Sequence, residues 1–93
     1  MGLRRRYRLG SVPKKIQIGD LIVPNSSWTF PISLRGGPGY TFDLIDRFNP
    51  EEIGLVIEYK IGHGSAPWVR VVAFPRQGNG WIPVSVVKRV NDS

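Results

Sequence analysis

The stretch Gly54-Leu55-Val56-Ile57-Glu58-Tyr59-Lys60, inside the run from Ile53 to Ile61, carries the clearest β-strand pattern in the sequence. Branched and aromatic residues alternate here with others, which is typical of a strand that packs one face on a core. The alternation predicts one face with Leu55, Ile57, Tyr59 and Ile61, and an opposite face with Val56, Glu58 and Lys60. Gly54 lies at the start of the strand, where a missing side chain permits a bulge or close packing.

Four more segments have strand character and are expected to pair with this one. They are Ile16–Val23, Trp68–Phe74, Gly80–Pro83 and Val87–Val90. Pro24 is expected to end the first of them, because proline lacks a backbone donor. Pro75–Gly80 reads as a hairpin turn, and Val84–Val86 as one 3₁₀ turn. The third strand, Trp68–Phe74, has apolar residues on both faces, so both sides are expected to be partly covered.

Residues 25–49 form a long segment with no clear period, and such segments are often functional. Its glycine-rich part is Gly36-Gly37-Pro38-Gly39, and its aromatic residues predict that it folds back onto the barrel. Trp28–Ile32 is consistent with a short extra strand. Asp43–Phe48 is expected to form one helical turn, followed by a turn or a helix start at Asn49–Glu52.

The composition limits the classes of function. The chain has 93 residues, enough for one small domain, and 41% hydrophobic with 22% charged residues is typical of a globular protein. Without cysteine and with one histidine, His63, a disulfide framework and a Cys or His metal cluster are excluded. The apolar runs are too short to cross a membrane, and no signal-peptide core follows the basic N-terminus. We therefore expect a soluble protein that is not secreted.

Positive charge is concentrated at the N-terminus. Six of the 13 basic residues lie in the first 15 positions, where there is no acid: Arg4, Arg5, Arg6, Arg8, Lys14 and Lys15. The remaining seven bases equal the seven acids, so residues 16–93 are formally neutral and the net charge of +6 belongs to the first segment. This predicts a basic N-terminal arm over 1–15 and a neutral domain over 16–93 into which residues 25–49 are inserted.

The order of these elements resembles the SH3-like barrel: five short strands, a long first loop, a tight hairpin between the third and fourth strands, and a 3₁₀ turn before the fifth. The segments that carry the resemblance are Ile18–Val23, Gly54–Ile57, Trp68–Val71 and Gly80–Lys88. They are similar to small, mostly uncharacterised SH3-like proteins encoded by tailed bacteriophages. The resemblance implies an all-β, five-stranded SH3-like barrel, and it covers about residues 16–24 and 53–90.

Two other SH3-like types share less with this chain. Gly54 with Val56 resembles the KOW type, which binds RNA or RNA polymerase partners, but Glu51 and Glu52 stand where that type commonly has basic residues. The peptide-binding signalling type has an acidic first loop and an aromatic groove for proline-rich peptides, and neither is clearly present in this sequence.

Residues in the arm and the long loop, together with Trp81, are the candidates for partner contact. Arginines can neutralise phosphates, and a tyrosine among them can stack on a base, so the arm predicts either DNA or RNA contact or docking on an acidic protein. Trp28, Tyr40 and Trp81 are candidates because aromatic residues are enriched at interfaces. Trp68 is expected to fill the core. The full set of candidates is Arg4, Arg5, Arg6, Tyr7, Arg8, Lys14, Lys15, Trp28, Tyr40 and Trp81.

Other groups of residues are given structural interpretations. Arg70, Arg76, Lys88 and Arg89 are expected to protect strand edges, with a local basic surface as the alternative. Asp43, Asp46, Glu51 and Glu52 do not have the spacing of a calcium loop. Gly36–Gly39 lacks the Lys-Ser/Thr of a phosphate loop, and His63 has no partner for nucleophilic catalysis, so it reads as an exposed loop residue.

These observations favour a non-enzymatic structural or interaction subunit without cofactor or metal, most simply a minor component of a phage virion or another large assembly. Its partners would be other protein subunits, and its location the virion or the host cytoplasm. The alternative is a nucleic-acid-binding or ribonucleoprotein accessory module that uses the basic arm. No membrane contact is expected.

Overall fold

The computed structural model describes residues 15–25 and 31–90, and in this part the protein is all-β. The described residues form seven strands: β1 Leu21–Pro24, β2 Ile32–Arg35, β3 Leu44–Phe48, β4 Ile53–Ile61, β5 Pro67–Phe74, β6 Gly78–Pro83 and β7 Val87–Arg89. Short 3₁₀ turns lie at His63–Ser65 and Val84–Val86. The sequence predicted five strands, and the two additional ones, β2 and β3, lie within residues 25–49.

The strands form one antiparallel sheet in the order β3-β2-β6-β5-β4-β1-β7, which curls into a half-barrel. β4 pairs with β5 along its whole length, from Ile53↔Phe74 to Ile61↔Pro67. β2 is joined to β6 by a single pair, Arg35↔Trp81. The described residues contain no helix that is long and apolar enough to cross a membrane.

The predicted bounds agree best in the second half of the chain. β4 has the predicted limits, β5 begins one residue early, and the 3₁₀ turn at Val84–Val86 lies where it was predicted. The prediction for the first strand was wrong at both ends. Its first residues form a turn, in which the Asp20 carboxylate accepts the N–H of Gln17 at 2.8 Å. Pro24 belongs to the strand and lies opposite Val87, which is possible because a strand end tolerates a missing donor.

The helical turn predicted for Asp43–Phe48 is wrong, because this segment is strand β3. Its pairs with β2 include Ile32↔Phe48 and Leu34↔Asp46. This pairing brings Leu34 and Phe48 to zero exposure in the core. Burial of two large apolar side chains therefore decides the conformation of a segment whose local pattern is weak.

A bulge in β4 corrects the predicted faces of the central strand. The register runs from Val56↔Val71 to Glu58↔Arg70, so Ile57 is the extra residue. A bulge shifts the alternation by one residue. The core face therefore contains Val56 and then Tyr59, whereas Leu55 lies on the outer face with Glu58.

The core lies on the concave face of the sheet. Its fully buried members, with no exposed surface, are Ile22, Leu34, Phe48, Val69, Val71, Ala73 and Ile82. Gly54 allows close packing here, as predicted, because a Cβ at this position would lie 3.2 Å from the tip of the Phe48 ring. The hairpin thus supplies two of the largest core residues, Leu34 and Phe48.

Candidate functional site: an apolar surface on the inserted hairpin

The β2–β3 hairpin is held against the sheet by close contact with β6. A Cβ on Gly80 would lie 2.7 Å from Leu34 Cβ and 3.1 Å from the carbonyl oxygen of Arg35, so only glycine allows this approach. The hairpin is therefore anchored at its base, and its other face projects away from the core.

Arg35 orders the loop that joins the two strands. Its guanidinium Nη1 donates to the carbonyl oxygens of Tyr40 at 3.2 Å and of Phe42 at 2.9 Å. The guanidinium carbon also lies 5.5 Å from the centre of the Tyr40 ring, within the range of a cation–π contact. Main-chain bonds add to these contacts, since the N–H of Gly36 donates to the carbonyl oxygen of Asp43 at 2.9 Å, so the glycine-rich tip predicted from Gly36–Gly39 is an ordered loop.

Tyr40 links the loop tip to the outer face of the sheet. Its ring meets the Trp68 ring edge to face, with 4.9 Å between centroids. Trp68 is 2% exposed, which confirms the prediction that it is a packing residue, although it lies outside the main core cluster. Tyr40 itself is 68% exposed, so it covers the tryptophan while most of its own surface faces solvent.

Four large apolar side chains remain exposed along the loop and β3. We call them the hairpin surface: Tyr40, Phe42, Leu44 and Ile45, with exposures of 68%, 42%, 45% and 54%. They lie within six consecutive residues on an edge strand and the loop that precedes it. Large apolar residues that are exposed in such a concentration are typical of a surface that another molecule covers. A cavity of about 200 Å³ lies beside Tyr40, between β2 and Pro83.

A second apolar surface lies on the convex face of the sheet and was not predicted. Register pairs Leu21 with Leu55, Leu55 with Val72, and Ile53 with Phe74. These five residues lie on the outer face of the sheet, and Leu21, Ile53 and Phe74 are each 40–49% exposed. The apolar residues on both faces of the third predicted strand were the available signal. The simple alternation along β4 did not predict this surface, because the bulge at Ile57 places Leu55 on the opposite face from Tyr59.

A third open region lies near the start of the described chain. A groove of about 430 Å³ is formed by Lys15–Ile18 and Tyr59. Ile18, which lines the groove, and Ile61, two residues after Tyr59, are both exposed. The groove has one charged side chain, Lys15, and no group of polar residues that would fix the orientation of a ligand. It does not define a chemistry.

Carboxylates and an arginine form a network beside β3. Glu52 is 2% exposed and accepts the N–H of Asn49 at 2.8 Å and Arg76 Nε at 2.9 Å. Arg76 also donates through Nη1 to Asp46 Oδ1 at 3.1 Å and through Nη2 to the carbonyl oxygen of Arg47. The acids that the sequence singled out therefore serve in part as partners of Arg76, and these two acids raise the pKa of its guanidinium.

The pKa of Asp46 lies below its ordinary value near 3.8, chiefly because the backbone N–H of Arg47 donates to its carboxylate, with a smaller contribution from Arg76. We expect Arg76→Ala to raise this pKa while leaving it below 3.8, since the backbone bond remains. The pKa is measured from carboxyl carbon shifts in an NMR titration. Because the folded-state pKa is lowered, the stabilisation by Asp46 is complete above the unfolded-state pKa and is lost as pH falls through the folded value. An unchanged Asp46 pKa in Arg76→Ala would contradict the pairing.

The structure separates the predicted contact residues into three groups. Arg4, Arg5, Arg6, Tyr7, Arg8, Lys14 and Trp28 lie outside the described residues, as does the side chain of His63. Lys15 and Tyr40 are exposed, and Tyr40 belongs to the hairpin surface. Trp81 is 7% exposed and lies opposite Arg35 on β6, where it packs within the domain. Partner contact by any of them remains a prediction.

Metal binding has no evident site in the described part of the chain, since none of its Asp, Glu or His residues form a group of three that could hold an ion.

Comparisons with protein-family models, with curated proteins and with solved structures found no match to this chain. Functional inference therefore rests on the surfaces described above.

Proposed function

We propose that this protein is a non-enzymatic interaction subunit of a large assembly, and that it docks on a neighbouring protein through the hairpin surface. The observation that carries the proposal is the exposure of Tyr40, Phe42, Leu44 and Ile45 on a hairpin whose base is fixed in the core. Aromatic and aliphatic side chains on a rigid support bind with a small loss of conformational entropy, which favours protein contact.

The SH3-like type and the phage virion belong to the same proposal. They are supported by the resemblance of the sequence and by the order of the elements, with a long insertion after the first strand, a tight turn between β5 and β6, and a 3₁₀ turn before the last strand. The basic arm would add a second contact. Its alternative role in binding DNA or RNA depends on residues 1–15, nearly all of which lie outside the described part.

The double variant Leu44→Ser/Ile45→Ser is expected to leave the assembly. The wild-type chain, expressed in its native cells, should sediment with a large particle at a fixed copy number, measured by quantitative mass spectrometry of gradient fractions. The variant should bind the particle at least about tenfold more weakly, as a loss of 1.4 kcal/mol in binding requires, and fewer copies should remain on the particle. Both substituted side chains are exposed, so the fold should be retained.

The matched control is Ile53→Ser/Phe74→Ser, which removes two apolar side chains of similar exposure, 42% and 40%, from the outer face. This control should incorporate like the wild-type chain. If wild-type protein is found only as free monomer, the proposed function is wrong. If the control is released and the hairpin variant is retained, docking occurs through the outer face and the hairpin surface is not the site.

A further inference from the structure

Strand β3 is an edge of the sheet that exposes two large apolar side chains at its start. It has five residues, of which Leu44 and Ile45 are 45% and 54% exposed, and no strand of the described chain pairs with its outer side. An exposed apolar edge strand can pair with the edge of another molecule, and natural proteins commonly block such pairing. The residues that block it here can be identified from hydrogen bonds.

The main chain of Arg47 faces the open side of β3. In an antiparallel pair, successive residues direct their N–H and C=O alternately toward the partner strand and away from it. The N–H of Arg47 donates to Asp46 Oδ1 at 2.8 Å, and its C=O accepts Arg76 Nη2. Both bonds go to side chains, and the residue opposite Arg47 on β2 is Ser33. The outward donor and acceptor that an added strand would need at Arg47 are therefore already used.

The side chain of Arg76 is held in this position by other contacts. It projects from the turn between β5 and β6, and its remaining donors bind Glu52 Oε2 at 2.9 Å and Asp46 Oδ1 at 3.1 Å. Glu52 is buried, so it provides a fixed anchor. One guanidinium thus orients the acid that occupies the Arg47 N–H and itself occupies the Arg47 C=O.

We propose that Arg76 closes the β3 edge to strand addition by a second copy of this chain. The expected competitor is the β3 strand of the other copy, because two such edges would bring Leu44 and Ile45 of both molecules together around a two-fold axis. The other edge, β7, has three residues and contains Lys88 and Arg89, so it is short and charged. The inference concerns self-association and does not depend on the proposed docking partner.

Sedimentation velocity over a wide range of protein concentrations tests this proposal. Arg76→Ala is expected to raise the apparent association constant for dimerisation at least about tenfold over that of the wild-type protein. The dimer should also show added hydrogen-exchange protection at Leu44–Phe48. Arg70→Ala is the matched control. It removes the same charge and an exposed ion pair with Glu58, but it does not touch β3, so it should behave as the wild type.

A second substitution separates edge pairing from partial unfolding. Arg76→Ala/Ile45→Lys places a charge on the opened edge and should return the protein to monomer, whereas aggregation through unfolding would persist. If Arg76→Ala does not fold, Arg76→Lys decides, because lysine keeps the charge but lacks the planar fork with which three nitrogens of Arg76 reach Glu52, Asp46 and the Arg47 carbonyl. A folded Arg76 variant with wild-type self-association, or association without new protection in β3, would overturn the proposal.

Discussion

Phe48→Ala is expected to lower the free energy of unfolding by about 3–5 kcal/mol, the usual cost of removing a large aromatic side chain from a core. Phe48 is fully buried, and its ring lies against Gly54 in the central strand. Loss of the ring leaves a cavity between the hairpin and the sheet, and the surrounding strands can fill it only in part. Urea unfolding followed by tryptophan fluorescence measures the change.

Phe74→Ala serves as the control for this prediction, because Phe74 is 40% exposed on the outer face. Its removal should cost less than about 1.5 kcal/mol, since much of its apolar surface is already in water. Equal effects of the two substitutions would mean that Phe48 does not lie in the core, and the placement of β3 would be wrong.

Glu52→Ala is expected to destabilise the protein by about 2–3 kcal/mol, because hydrogen bonds to a charged group contribute more than neutral ones. The carboxylate accepts three bonds, from the N–H of Asn49 and from two nitrogens of Arg76. These bonds connect the turn before β4 to the turn after β5. Thermal and urea unfolding at neutral pH measure the loss.

The neighbouring acid provides a matched comparison. Glu51 precedes Glu52 in the same turn but is exposed, so Glu51→Ala removes an equal charge with an expected change within about 0.5 kcal/mol. Glu52→Gln should be intermediate, because the amide keeps one acceptor oxygen without its charge. If Glu51→Ala and Glu52→Ala are equally destabilising, net charge and not the buried network controls this region.

The strands that could be predicted from sequence are those whose pattern is local. Ile53–Ile61 has a continuous run of strand-forming residues with a turn before it, and its bounds were predicted correctly. The hairpin could not be predicted, because Leu44–Phe48 becomes a strand only through pairing with Ile32–Arg35 and burial of Phe48. The bulge at Ile57 likewise results from packing, and it places Leu55 and Tyr59, which the alternation had put on one face, on opposite faces of the strand.

The candidate site was predicted in its location but not in its form. The aromatic and glycine-rich composition of residues 25–49 indicated a surface that returns to the barrel, and Tyr40 was among the predicted contacts. Leu44 and Ile45 were not singled out, since a single helical turn gives no reason for their exposure. Arg76 was expected to protect a strand edge because it is charged. Its bonds to Asp46, Glu52 and the Arg47 carbonyl could not be predicted, because they depend on the three-dimensional structure.

Hydroxyl-radical footprinting of the protein in its native assembly and as the isolated chain tests the docking claim most directly. The rings of Tyr40 and Phe42 should be labelled in the isolated chain, as their exposures of 68% and 42% require, and should be protected in the assembly. Phe74, at 40% exposure, is the internal reference and should be labelled equally in both states. Equal labelling of Tyr40 and Phe42 in the two states would contradict docking through the hairpin surface.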